Sequence, residues 1–351
     1  MSSFLLKSDI SEIVNRLEPY LSFFTDKTIL LTGSRGFLGR YFIEVFNELS
    51  LKMDKPLKVI ALDNFITAGE AGAEIPNYKH IKFFKHDVIK KFECEEKIDF
   101  LIHAAGIASP HYYQAYPLEA LDVAITGTRL MLDLAKKNNA KFTFFSSSEI
   151  YGDPDAKNIP IKETYRGNVS CQGPRSCYDE SKRVGETLCY IYNNSKSTHT
   201  NTIRPFNIYG PGMQEKDYRV LPNFARKIKR GEALEVYGSG NQTRTFCYIT
   251  DAIFGFLLVI IKGLPGEAYN IGNESPEVSV NDLAERLKLI SPKPITYKCI
   301  DYPDTYPEDE PNRRMPSLEK AKLQLNYQPN IDLNEGLRRF IGWTEDNYSE
   351  A

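Results

Sequence analysis

Tyr178 and Lys182 stand one helical turn apart in Tyr178-Asp179-Glu180-Ser181-Lys182, so both side chains project from one face of a helix. A free tyrosine, with a pKa of about 10, is a poor base at neutral pH. An ammonium beside it, together with a positive nicotinamide ring, stabilises the phenolate and lowers that pKa. The phenolate then takes the proton from a hydroxyl while hydride leaves the carbon that bears it. Taken alone, a Tyr-x-x-x-Lys pair is common on solvent-facing helices. Its meaning depends on whether the rest of the chain builds a dinucleotide site.

The segment Thr32-Gly33-Ser34-Arg35-Gly36-Phe37-Leu38-Gly39 spaces its glycines as G-x-x-G-x-x-G, directly after an apolar run and at the opening of a helical stretch. Glycines in that context permit a tight turn and close approach of backbone to a pyrophosphate, and the helix N-terminus adds free N–H groups and positive dipole. Gly33, Gly36, Phe37 and Leu38 are the expected cradle. The next apolar run ends at Leu62-Asp63-Asn64. Asp63, with Asn64 beside it, is placed to accept hydrogen bonds from both hydroxyls of an adenosine ribose and to repel a 2′-phosphate, which favours NAD over NADP. Asp87-Val88, after the third run, would flank the adenine, and Ala104, after the fourth, joins the cofactor-binding set.

The elements that must position these residues are legible as short apolar runs at 28–31, 58–62, 81–84, 99–102 and 141–145, with helical patterning over 37–49, 118–138 and 178–194. Strand-helix alternation with few tight hairpin signals predicts an α/β fold, a Rossmann-like doubly wound parallel sheet. Three parts are expected: a helical extension over 1–26, with Ile10, Ile13, Val14, Leu17 and Leu21 at helical spacing, an NAD-binding domain over 27–204, and a smaller α/β substrate domain, mainly 205–351, interleaved with the sheet. The stretch Pro303 to Pro316 reads as a polar, Pro-rich loop.

Composition narrows the function classes. The chain has 351 residues, 42% hydrophobic, and a net charge of -2, so nothing favours nucleic acid or an anionic membrane surface. The first residues lack the basic region and long apolar core of a signal peptide, and the longest apolar run, Phe254 to Ile261, is too short to span a bilayer. The six cysteines include no Cys-x-x-Cys pair and no zinc-ligand spacing with histidine, which predicts thiols in a reducing compartment, a cytoplasmic location and no metal.

Beyond the glycine turn and the Tyr/Lys pair, the chain carries Ser146-Ser147-Ser148-Glu149-Ile150-Tyr151-Gly152-Asp153-Pro154, and with them resembles the extended short-chain dehydrogenase/reductases that act on nucleotide sugars. Within that family, Pro174-Arg175-Ser176-Cys177-Tyr178-Asp179-Glu180, 204–211 (Arg-Pro-Phe-Asn-Ile-Tyr-Gly-Pro) and 236–244 (Val-Tyr-Gly-Ser-Gly-Asn-Gln-Thr-Arg) are similar to UDP-glucuronate decarboxylases, or UDP-xylose synthases. The resemblance runs from about residue 27 to 345 and implies roles. Ser147 would help Tyr178 and Lys182 orient the C4 hydroxyl, and Glu149 would sit near C5 and the departing carboxylate. Asn207 and Arg244 would bind the pyrophosphate region, and Arg219 would lie near cofactor or substrate phosphates. Arg314, in an Arg-x-Pro-Ser pattern, would assist decarboxylation or protonation at C5. The implied sequence is oxidation at C4, loss of carbon dioxide from the resulting β-keto acid, protonation at C5 and return of the hydride. It also implies a homodimer through a four-helix bundle of 118–138 and 178–194, with Leu121, Ile125, Leu132 and Leu188 on the seam or in the core.

Position 148 separates sister activities: the 4,6-dehydratases carry an Asp-Glu pair where this chain has Ser148-Glu149, and a serine can hydrogen-bond a substrate carboxylate that a second anion would repel. Decarboxylation is therefore the leading expectation, with a 4,6-dehydratase or 4-epimerase as the alternative and a non-catalytic cofactor-binding protein as a remote one. The departures from the family pattern are Ser147, where a threonine is usual and the hydroxyl is kept, Ala124, where an asparagine is usual, and the loop from His103 to Tyr112, which replaces a Ser-Pro-Ala-Ser-Pro-Pro run.

Overall fold

In the computed structural model of the chain, residues 4–302 and 311–349 are described. The apolar runs become β1 (Thr28–Thr32), β2 (Lys58–Asp63), β3 (Ile81–Lys85), β4 (Phe100–His103) and β5 (Lys141–Phe145), joined by β6 (Thr200–Pro205) and β7 (Ala268–Ile271). They form one sheet of seven strands in the order β7-β6-β5-β4-β1-β2-β3, every neighbouring pair parallel. Strands covered on both faces need no polar alternation, which is why β1 and β2 read as continuous apolar stretches. Strand order reverses between β1 and β4, and the crevice above their C-terminal ends is where such a sheet takes its ligand.

Six longer helices matter for the site: α1 (Lys7–Leu17), α2 (Phe37–Leu51), α3 (Thr128–Asn138), α4 (Ser176–Lys196), α5 (Ile249–Lys262) and α6 (Leu333–Asn347). Every residue of α5 from Ile249 to Ile261 is buried, so the longest apolar run of the sequence is a core helix, packed between α1, α2, β5 and β6. No helix among the described residues is long and apolar enough to cross a membrane. The patterning over 118–138 folds as a short helix Pro117–Asp122, one π turn Val123–Gly127 and α3, so Ala124 sits in the π turn. Of the seam candidates, Leu132 goes into the core, because its face of α3 covers the sheet.

At the N-terminus, Ile10, Ile13, Val14 and Leu17 are buried as their spacing predicts. Leu21 is only half-buried, because Pro19 opens a 3-10 stretch over Glu18–Phe23 that changes the helical phase. Arg16 reaches Asp251 at 2.6 Å and the Tyr248 hydroxyl donates to Asp9 at 2.8 Å, tying α1 to the body of the protein.

After β6 the chain leaves the sheet to build the opposite wall of the crevice, returns as α5 and β7, and leaves again. The Pro-rich loop needs a correction. Residues 303–310 lie outside the described residues, but Arg313–Arg314 is a short strand, paired in parallel with Thr243–Arg244, which in turn pairs antiparallel with Val278–Ser279. The pairing partner is some seventy residues away, and no local pattern announces it.

Candidate active site

Two adjoining cavities occupy the crevice. The smaller, about 260 Å³, is lined by Gly33, Gly36, Phe37, Leu38 and Ala104. Gly33 takes a φ of +72°, so the chain turns sharply off β1 into α2. The N-cap of α2, Gly36, makes no side-chain capping bond, and no acidic residue stands in the first turn. Its N–H groups and dipole are thereby left for an anion, which fits a dinucleotide pyrophosphate. Asp63 closes β2 beside this turn, accepting the Arg35 N–H at 2.8 Å and the Phe65 N–H at 2.7 Å. Asn64 and Asp87 each accept an N–H two residues on, at 3.1 and 3.2 Å, and Val88 is buried. Those four residues stand at the strand ends but outside the cavity wall formed by the glycine turn.

Tyr178 borders both cavities, and Lys182 and Ser147 border the smaller. The Tyr178 ring stacks on Tyr113, centroids 5.3 Å apart and planes 13° from parallel, which fixes the direction of the phenol. Lys182 donates to the Phe145 carbonyl at 2.9 Å and its Nζ lies 5.6 Å from the centre of the Tyr178 ring. Ser147 caps the 3-10 turn Ser148–Tyr151 by accepting the Glu149 N–H at 3.2 Å. Ser148 is buried and borders the smaller cavity.

The titration of the pair depends on its burial. Burial pushes the Tyr178 phenol up to about 12, against the lowering effect of a Ser147 hydrogen bond, and burial brings Lys182 down to about 8. The low-dielectric setting penalises both ions, so the pair by itself does not make a phenolate, and the expected lowering rests on the positive nicotinamide ring as well as on the ammonium.

Gly106 was not singled out from sequence. A methyl group there would stand 2.9 Å from the Lys182 Nζ, with no backbone in the way. Gly106→Ala is expected to move the ammonium rather than the fold. The thermal midpoint should stay within a few degrees, while kcat should drop roughly 10- to 100-fold, the effect of misplacing a reacting group by about 1 Å. A wild-type kcat would show that the lysine position is not critical.

The larger cavity, about 480 Å³, is of a size for a nucleotide-linked sugar and is bordered by Glu149, Asn207, Arg219, Arg244 and Arg314. Arg314 is only 3% exposed and grips both oxygens of Glu149, its Nη2 lying 2.7 Å from Oε2. On the other side Arg175, just before α4, also bonds Glu149, and its Nε lies 3.5 Å from Asp179. Burial alone would push the Glu149 carboxyl up, but the two guanidiniums outweigh it and hold the group well below the usual carboxylate range. Burial and the charge of Glu149 push Asp179 up instead. A solvated loop arginine at 314 is thereby ruled out. Arg175, like Tyr113, was missed as a functional candidate because a residue three positions before a tyrosine gives no signal until the helix start is known.

Arg244 pairs in register with Arg314 across the small sheet and donates to the Thr243 carbonyl at 2.8 Å. Asn207, with φ +45°, donates to the Thr245 carbonyl at 2.8 Å, and Arg219 binds Asp217, Nε to Oδ1 at 3.0 Å. No group of His, Cys, Asp and Glu among the described residues is arranged to hold a metal ion.

A sheet of this order, with a glycine turn at its reversal and a tyrosine and lysine on the helix beside it, defines a dehydrogenase/reductase of the short-chain class. Residues 29–272 match the NAD dependent epimerase/dehydratase family, and the chain belongs to that family. UDP-glucuronic acid decarboxylase 1 of Xenopus tropicalis is 37% identical over 318 residues, 90% of this chain and 71% of that protein. UDP-glucuronic acid decarboxylase 6 of Arabidopsis thaliana is 36% identical over 316 residues, 90% of this chain and 88% of that protein. Among solved structures, UDP-glucuronic acid 4-epimerase from Bacillus cereus, in complex with UDP-glucuronic acid and NAD, superposes with a TM-score of 0.76 at 25% identity, over 92% of this chain and all of that one. The resemblance read from the motifs is borne out.

Proposed function

We propose that the protein decarboxylates a nucleotide-activated glucuronate, UDP-glucuronate to UDP-xylose in type, through a 4-keto sugar. The observation that carries the reading is Glu149 clamped by Arg314 and Arg175 in the wall of the same cavity that holds the Tyr178 phenol. Two guanidiniums beside the redox position suit a sugar that bears a carboxylate one carbon from the oxidised hydroxyl. NAD, when bound along the glycine turn with Asp63, Asn64, Asp87 and Val88 toward its adenosine end, supplies reversible hydride acceptance and the positive charge that the Tyr178 phenol lacks.

In this reading Tyr178 takes the C4 hydroxyl proton, Ser147 orients that hydroxyl and Lys182 holds the phenolate. Once C4 is a ketone, the bond from C5 to the carboxylate can deliver its electrons into an enolate as carbon dioxide leaves. Arg314 offsets the charge that moves and Glu149 stands near C5, where a proton must then be added. Asn207, Arg219 and Arg244 bind the diphosphate, and Ser148 takes a hydrogen-bonding role next to the sugar. A 4,6-dehydratase would need an acid where Ser148 stands, and a 4-epimerase would leave the carboxylate in place and release no gas. Incubation with UDP-glucuronate should release carbon dioxide and a nucleotide pentose in equal amounts. A C4 epimer with no gas would overturn the reading.

Assembly and location belong to the same proposal. Leu118, Ile125, Tyr190 and Ile191 are exposed on the helices at 117–138 and 176–196, at 70%, 39%, 66% and 41%, which supports a homodimer through this face. Light scattering should give twice the chain mass at micromolar concentration, and a monomer would dismiss the dimer. The six unpaired thiols support a reducing, cytoplasmic compartment.

A further inference from the structure

Part of the wall of the smaller cavity is held together by side chains that no motif marks. Gln214, in the loop after β6, donates its amide Nε2 to the Thr67 carbonyl at 2.8 Å, and its Oε1 accepts from the Tyr112 hydroxyl at 3.2 Å. Thr67, Tyr112 and Gln214 all border the cavity. The contact is close-packed: a side chain on residue 69, where φ is +63°, would meet the Gln214 amide at 2.9 Å. The segment carrying Thr67 is fixed at its other end by Arg35 of the glycine turn, which donates to the Gly72 carbonyl at 2.9 Å and to that of Glu74. A strap from residue 64 to 74 is thus sewn to the glycine turn on one side and to the substrate wall on the other. The loop that supplies Gln214 also supplies Arg219 five residues on, so one loop serves both cavities.

We propose that Thr67, Tyr112 and Gln214 form a latch across the dinucleotide cavity that keeps the cofactor on the protein between the oxidation and the re-reduction of one sugar. It rests on the cofactor reading above. The chemistry gives the latch its use. The two electrons and the proton taken from C4 must return to the same sugar, and a reduced dinucleotide that leaves early strands a ketone and one equivalent of reduced cofactor. The latch consists of two neutral hydrogen bonds, strong enough to slow release and weak enough to open for loading.

The test measures retention without any sugar. Wild type, Gln214→Ala and Tyr112→Phe are loaded with NAD, and dissociation is timed by rapid gel filtration into a trap. Gln214→Ala, which removes both bonds, should release NAD roughly 10- to 30-fold faster, and Tyr112→Phe, which removes one, about 5-fold faster, given about 1 kcal/mol per bond. Thermal midpoints of the cofactor-free proteins should match wild type, which separates a lost latch from a damaged fold. Release at the wild-type rate by both variants would overturn the latch. Failure of wild type to bind NAD at all would instead overturn the cofactor reading. With UDP-glucuronate added, Gln214→Ala should accumulate free reduced nicotinamide and nucleotide 4-ketose beyond wild type; equal amounts would show that retention does not decide the product.

Discussion

Tyr178→Phe is expected to lower turnover of the uronate about 10²- to 10⁴-fold, the usual contribution of one proton-transfer group, with NAD affinity close to wild type. The phenyl ring keeps the stack on Tyr113 at 5.3 Å, so the packing of the site survives and only the hydroxyl is lost. The pH profile provides a second reading. Burial lowers Lys182 to about 8, so its ammonium is present below that pH and fades above it. In wild type, kcat/KM should therefore fall as pH rises through about 8, where the lysine stops supporting the phenolate. In the residual activity of Tyr178→Phe that alkaline limb should disappear, because there is no phenolate to support. Intact turnover in the variant would remove the proton-transfer role from Tyr178, and with it the first step of the proposed reaction.

The second large effect is expected at Arg314. Arg314→Ala should slow carbon dioxide release about 10²- to 10³-fold, as loss of one preorganised charge typically does. Oxidation at C4, followed in a single turnover by the absorbance of reduced nicotinamide, should continue within a few-fold of wild type. The split is what separates a role at C5 from a general loss of structure. Some stability will also go. Breaking one side of a buried ion pair costs about 3 to 5 kcal/mol, but Glu149 keeps Arg175, so the cost should fall below that range. Arg314→Lys is the companion variant: it keeps a charge but cannot grip both Glu149 oxygens, and should recover stability more than carbon dioxide release. Equal slowing of both steps would place Arg314 at substrate binding and not at C5.

The identities of the relatives and the geometry address different questions. Kinship over nine-tenths of the chain fixes the family, while the choice among decarboxylation, dehydration and epimerisation depends on what surrounds C5. On the proposed reading that surrounding is Ser148, Glu149 and the two arginines that hold Glu149.

Much of this was legible in the residues themselves. Gly33, Gly36 and Asp63 announce a dinucleotide turn because local backbone geometry and a strand end leave few other uses for that spacing. Tyr178 and Lys182 are one helical turn apart whatever the rest of the fold does. Strands β1, β2, β4 and β5 read as apolar runs because both faces of the sheet are covered there. The tertiary structure alone decided the rest. Arg314 reaches Glu149, 165 positions away, only because a two-residue strand pairs with Thr243–Arg244. Leu132 turned inward and Tyr190 outward through the phase of helices on the sheet, which a periodic pattern leaves open when both faces carry apolar residues. The titration of the Tyr/Lys pair also escaped the sequence: charge proximity can be read from spacing, but the desolvation that opposes it exists only once the crevice has closed around both groups.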